Sequence, residues 1–422
     1  MNRTRQQKSQ LIFQMVLIGI FIFISLAIYL LFFMRGKVSV EVVPTSAVVT
    51  LDNKPGNFSN GSVSFLASLG KHILKVEADN YIGFKEEVYL KRGMNYSKKI
   101  SLKKSPVPIE IASSASNITI KGDEIFYKNT ADGLFYIAKV SFLDDGSVNV
   151  ESTQKITSKP LDNANQTFWS PTKELVITKN GSSVSLLDFK KYDFVNQNIV
   201  HFGDHIGDIV WAPDNSRVAY SYSPPSGERS IIFSDANNSN IFRAVNLAQL
   251  NIYNPYLAFS PDSQWMVVIP RNEAYEQNQI YLLNIYTREI KVLNSDGNQK
   301  EAIFSADSKK IIFSTYDTKS INKIKRTVGS INIDGTDKKS FSLAANASMG
   351  RYWKEANKIF LPLVSEGSKL VLVDTESGRT DDFYFTGQKN LKIDDIHLND
   401  DHTGAVFVSG DKLYFVKLEG NG

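Results

Sequence analysis

From about residue 107 onward, short apolar runs rich in β-branched residues alternate with polar, turn-forming clusters, and one unit of this pattern recurs. An aromatic closes one apolar run, a tight polar turn follows, and a second apolar run begins. WAPDNSRVAY (211–220) is the sharpest copy. FWSPTKELVI (168–177), AFSPDSQWMVV (258–268), IFSADSKKIIF (303–313) and YWKEANKIFL (352–361) repeat it, with fainter copies at ITIKGDEIFY (118–127) and HLNDDHTGAVFV (397–408). With Trp211 as the marker, the set is Ile120, Trp169, Trp211, Phe259, Phe304, Trp353 and Leu398, spaced by 42 to 49 residues. Self-similarity at that period is the signature of propeller blades.

The unit has a physical logic. The aromatic is large enough to fill the gap between neighbouring sheets. Pro213 or Pro261 stops ladder pairing because it has no N–H, and Asp214, Asp262 or Asp307 holds the turn by bonding nearby backbone amides. Between Trp211 and Phe259, RVAYSYS, RSIIFSD and IFRAVNL are separated by SPPSGE and ANNSN, so each unit reads as four strands. A lone Ser-Pro-Asp triplet would mean only an ordinary turn; five clear copies in register mean a repeat.

On these residues the chain resembles the TolB-like and related β-propellers, whose repeats run aromatic-Ser-Pro-Asp-Gly into an apolar strand. The resemblance covers roughly residues 107–419 and implies an all-β propeller, for which the seven markers make seven blades. Asn215, Ser263 and Ser308 stand where the family often has Gly, and the turn is eroded at Lys354-Glu355-Ala356. The Gly-His and Trp-Asp signatures of WD-type propellers are missing.

The N-terminal pattern is different. Residues 11–34 form an uncharged run of 24 residues, enough at 1.5 Å per residue to cross a ~30 Å hydrocarbon core. It reads as a transmembrane helix rather than a signal peptide, whose apolar region is shorter. Arg3, Arg5 and Lys8 precede it and Arg35 and Lys37 follow, which puts residues 1–10 in the cytoplasm as a tail and the remainder outside a plasma membrane.

Residues 37–103 form a second unit. VSVEVVP, AVVTLDN, GKHILKVEADNY, FKEEVYL and YSKKISLKK are strand candidates for a small β-sandwich. Pro44-Thr45-Ser46-Ala47, the turn after Leu51, Gly70-Lys71-His72 and Asn80-Tyr81 resemble the PEGA domain family, which implies a non-catalytic surface module. Asn53 and Asn80 replace glycines of that pattern, and Asn tolerates positive φ better than other non-Gly residues. Residues 104–106 are a short linker. The strand VPIEIAS after it is available to complete the last blade, which otherwise runs out of chain after KLYFVKLEG; such closure would hide an open sheet edge.

Composition narrows the function. At 42% hydrophobic and 22% charged the chain is ordinary folded protein, and a net charge of +4 with dispersed Lys and Arg leaves no footprint for nucleic acid. With Cys absent, neither disulfides nor a lipid-modified anchor is expected. No G-x-S-x-G, P-loop, G-x-G-x-x-G or H-E-x-x-H is present, so no catalytic residue, cofactor or metal is assigned, and with the chain ending at Gly422 no fused peptidase is expected.

His201 and His205, interleaved with Asp204 and Asp208, have metal-ligand composition, but HFGDHIGDIVW enters a strand, where four-residue spacing aligns nothing. Asp144-Asp145-Gly146, Asp394-Asp395 and Asn399-Asp400-Asp401 lack calcium-loop spacing and read as turns. Tyr253, Tyr256 and Tyr275 are aromatics for a binding face or for packing between blades. The reading is a membrane-anchored binding or scaffold protein for an envelope protein or polysaccharide, with a propeller hydrolase or lyase acting on glycans as the alternative.

Overall fold

The computed structural model describes residues 13–25, 35–59, 62–104, 107–142, 148–160, 165–181, 183–188, 199–271, 278–294, 297–317, 325–341, 343–352, 357–363, 370–383 and 391–418. Two compact units divide the chain, Met1–Lys104 and Ser105–Gly422.

The N-terminal expectation is corrected first. Of the apolar run, residues 13–25 are described, and they are helical. Among the described residues, no helix is long and apolar enough to cross a membrane. The single-pass anchor over 11–34 is therefore not supported, and the plasma-membrane placement with a cytoplasmic N-terminus, which rested on it, falls with it. The tail 1–10 and residues 26–34 lie outside the described residues, as do Ser105 and Pro106 of the linker.

The first unit holds two four-stranded sheets rather than five strands. One orders Asn57–Ser59, Ser62–Ser68, Arg35–Val43 and Asn95–Ser101; the other orders Lys54–Pro55, Val48–Leu51, Gly70–Glu77 and Phe84–Leu90. Period-two alternation does the work: Val38, Val40 and Val42 go inward from one strand, Leu74 and Val76 from another, and all five are buried in one cluster. Asn53 and Asn80 adopt φ of 63° and 67°, the left-handed backbone their turns require.

His72, only 6% exposed, places Nδ1 2.6 Å from Asp52 Oδ2 and Nε2 2.8 Å from the Ser68 carbonyl. With an acceptor on both nitrogens the ring is suited to carry two protons. Burial pulls its pKa down, but the bonds to Asp52 and Ser68 outweigh it and raise it above the ordinary value. Asp52 goes the other way, held low by the Ile73 amide and His72.

The His72 contribution is thus complete below its ordinary pKa near 6.5 and is lost as pH rises through the raised value; the Asp52 contribution is lost as pH falls through a value below 3.8. Amide exchange at Ile73 is expected to lose protection as pH climbs from 6 to 9 beyond the intrinsic pH effect, and His72→Gln is expected to abolish that extra loss. A protection factor unaffected by pH in the unsubstituted protein would contradict the assignment.

In the second unit the described strands make seven four-stranded antiparallel sheets. Their innermost strands are Ala115–Lys121, Gln166–Trp169, Ile206–Trp211, Tyr256–Phe259, Gln299–Phe304, Arg351–Tyr352 and Asp395–Leu398. Each of the first four lies against the next, the short 3-10 turn Ala347–Met349 bridges from the fifth to the sixth sheet, the sixth lies against the seventh, and the seventh returns against the first. The sheets therefore form a closed ring. Ile109–Ala112 pairs antiparallel with Lys412–Lys417 as the outer strand of the seventh sheet, so chain from both ends of the unit shares one blade.

Apolar clusters fill seams between neighbouring blades. Between the seventh and first blades, Val406, Leu413 and Phe415 meet Ile118, Ile120 and Ile125. The marker aromatics also tie blades by hydrogen bond: Trp169 Nε1 donates to the Asn117 carbonyl at 3.2 Å and Trp211 Nε1 to that of Phe168 at 2.9 Å. Trp353 and the eroded turn 354–356 lie outside the described residues.

Four residues after the marker, Lys173, Asn215, Ser263, Ser308 and His402 all adopt φ between 59° and 64°. That backbone explains why a Gly suits the position. Two of the substitutes are used: Ser263 Oγ accepts from the Asp214 amide (3.2 Å) and Ser308 Oγ from the Asp262 amide (3.1 Å), linking each turn to the next.

Candidate functional site

Because every blade is antiparallel and begins at its inner strand, all seven inner strands start at one face of the ring. Three positions before the marker, where an apolar strand should be apolar, stand Asn117, Gln166, Asp208, Tyr256, Glu301, Gly350 and Asp395. This column brings polar side chains to the channel mouth. Lys179 ends the second strand of blade two (Leu175–Asn180), and Arg271 follows that of blade four (Trp265–Ile269). Arg229 precedes the third strand of blade three (Ser230–Ser234), and Tyr253 lies in the segment leading into blade four.

The carboxylates at the mouth point into the structure. Asp208 Oδ2 accepts the Leu257 amide of the next blade at 2.8 Å, while Lys179 donates to the adjacent Gly207 carbonyl at 2.6 Å. Burial raises the Asp208 pKa against the pull of Arg271, the Leu257 amide and Lys179, and burial lowers that of Lys179. One Glu301 oxygen accepts from Ser348; the other is buried without a hydrogen-bond partner. Arg351 donates to the Ser348 and Gly350 carbonyls, both at 2.9 Å, and stands 3.5 Å from Asp395 Oδ1.

His397 Nε2 donates to Asp395 Oδ2 at 3.1 Å. Burial, reinforced by Arg351, takes the His397 pKa below its ordinary value, so the ring is neutral near pH 7. Asp395 stays ionised: burial opposes this but is outweighed by His397, Arg351 and the Ile396 amide. Tyr256 sits among these charges. Burial raises its pKa, and the carboxylates of Asp208 and Glu301 add to that against Arg271 and Arg351.

The arginines are arranged differently. Arg229 lies 3.4 Å over the Tyr253 ring and Arg271 5.0 Å over that of Tyr256, and the Arg271 amide donates to the Tyr253 carbonyl at 3.4 Å. The two cation–π pairs are thereby joined through the backbone. At the opposite end of the ring, burial lowers the Lys173 pKa to about 8.

The residues singled out in the sequence scatter. His201 pairs with Asp204 at 3.5 Å on the surface, His205 is exposed with φ of 59°, and Asp208 alone reaches the mouth. Among the described residues no group of three or more His, Cys, Asp or Glu is placed to hold a metal. Asp394 and Asp401 serve turns, accepting from the Gly410 and Thr403 amides. Tyr253 and Tyr256 are at the mouth; Tyr275 and Asp144-Asp145-Gly146 lie outside the described residues. Arg229, Arg271, Glu301 and Arg351 were not singled out in the sequence, although the polar column three before the marker was a readable signal for Glu301.

The closed ring of four-stranded sheets defines a β-propeller. No protein-family model matches the chain, and no curated protein does. Among solved structures it is similar to hydrazine synthase of Kuenenia stuttgartiensis, 13% identical, covering 74% of this chain and 97% of that one with a TM-score of 0.52. It is also similar to TolB from Acinetobacter baumannii (12% identical, 80% of each chain, TM-score 0.42) and to a putative TolB from Agrobacterium tumefaciens (14% identical, 63% of this chain and 93% of that one, TM-score 0.39). At these identities the likeness concerns the fold alone.

Proposed function

We propose that this protein is a binding or scaffold protein whose propeller recognises a macromolecular partner, a protein or a polysaccharide, at the channel mouth. The first unit acts as a non-catalytic module, as its resemblance to PEGA domains implies. The observation that carries the reading is the division of labour among charges at the mouth. Asp208, Glu301 and Asp395 are engaged by Leu257, Ser348 and His397 within the ring, whereas Arg229 and Arg271 lie on tyrosine rings and form no ion pair among the described residues. Loops and strand ends on a rigid ring are where propellers place specificity.

Cross-linking in intact cells followed by recovery of the full chain tests this. One protein or polysaccharide at constant stoichiometry is the expected result. A second reading is a hydrolase or lyase acting on glycans, which needs a protonated and an ionised carboxyl flanking one bond; Asp208 and Asp395 differ in that sense but stand on the third and seventh blades. Release of oligosaccharide by the purified protein, lost in Asp208→Asn, would replace the binding reading.

A further inference from the structure

We propose that the partner presents an acidic polypeptide segment, and that Arg229 and Arg271 take its carboxylates where the third and fourth blades meet at the channel mouth. This rests on the binding reading above and names the chemistry of what is bound.

Among the cations on this face of the ring are Lys179, Arg229, Arg271 and Arg351. Arg351 is committed to two carbonyls and to Asp395, and Lys179 to the Gly207 carbonyl. Arg229 and Arg271 have no ion pair among the described residues. The carboxylate next to Arg229 in sequence, Glu228, is taken by Arg243 at 2.5 Å, and Nε of Arg229 is buried without an acceptor. A guanidinium offers five N–H donors in a fixed fork that matches a carboxylate. Its stacking on tyrosine fixes its plane. The two forks are joined by the Arg271 to Tyr253 backbone bond, so they present a preformed pair.

The same geometry selects against a sugar polymer. Saccharide recognition by aromatics uses a bare ring face, and on both Tyr253 and Tyr256 one face lies under a guanidinium. What remains is donor edges, which suit side-chain carboxylates on an extended chain. Because ions screen the attraction between guanidinium and carboxylate, such binding weakens as salt rises.

Fluorescence anisotropy of the full chain with a labelled octaglutamate tests the proposal, with octalysine and a polygalacturonate oligomer as the other probes. Octaglutamate is expected to bind and to weaken as salt rises. Arg229→Gln and Arg271→Gln are each expected to weaken it at least tenfold with thermal midpoints unchanged, and Arg229→Lys to restore only part. Absence of octaglutamate binding, binding of polygalacturonate in its place, or indifference to both substitutions would overturn the proposal. If the cross-linked partner is captured equally by wild type and Arg271→Gln, the binding reading stands while this one falls.

Discussion

Replacing Phe415 by alanine is expected to destabilise the second unit by about 3–5 kcal/mol, the usual cost of deleting a large core aromatic. Phe415 is fully buried at the seam where the last blade meets the first. Its backbone pairs with Ile109 of the strand contributed from the start of the unit, and its ring fills the space that a Cβ on Gly404 would enter at 2.5 Å. The cavity would open at the junction that turns a row of sheets into a ring. A domain has only about 5–15 kcal/mol in total, so the loss is a large fraction of it. Guanidinium denaturation followed by tryptophan fluorescence gives the value; a shift below about 1 kcal/mol would mean that the seam does not hold the ring.

Trp169→Ala is the second large effect, about 3 kcal/mol, at the low end of the range for aromatics because the ring is half-buried. The indole packs against Phe126 at 5.4 Å and Phe135 at 5.5 Å, and its N–H reaches the Asn117 carbonyl across the seam. Trp169→Phe keeps most of the packing and removes the hydrogen bond, so about 1 kcal/mol is expected. The ratio of the two losses separates packing from the hydrogen bond. Equal losses would assign the whole contribution to the N–H.

Both effects bear on function because the mouth depends on the ring. Asp208 accepts from the next blade and Glu301 from the turn before the sixth, so the arginine pairs keep their spacing only while neighbouring blades stay in register. A ring opened at Phe415 is expected to lose partner recognition along with stability.

Local chemistry carried much of the architecture. The repeat of aromatic, turn and apolar run fixes strands and turns because side-chain period, proline and left-handed backbone act within a few residues; Asn215, Ser263 and Ser308 take that backbone as the pattern required. The strand Ile109–Ala112 was readable from the shortage of chain at the far end. The apolar run 11–34 was misleading as a span: hydropathy reports the affinity of side chains for an apolar medium, and among the described residues no helix is long and apolar enough to cross a membrane. The site was nearly silent. His201, Asp204, His205 and Asp208 are close in sequence, yet only Asp208 reaches the mouth, whereas Tyr253, Tyr256 and Arg271 belong to the fourth blade and its lead-in and meet Arg229 only when the third blade packs against it. Sequence by itself determined the repeating unit, through interactions between near neighbours. The tertiary structure alone decided which charges gather at the channel mouth, because that depends on the ring closing and on contacts between residues tens to hundreds of positions apart.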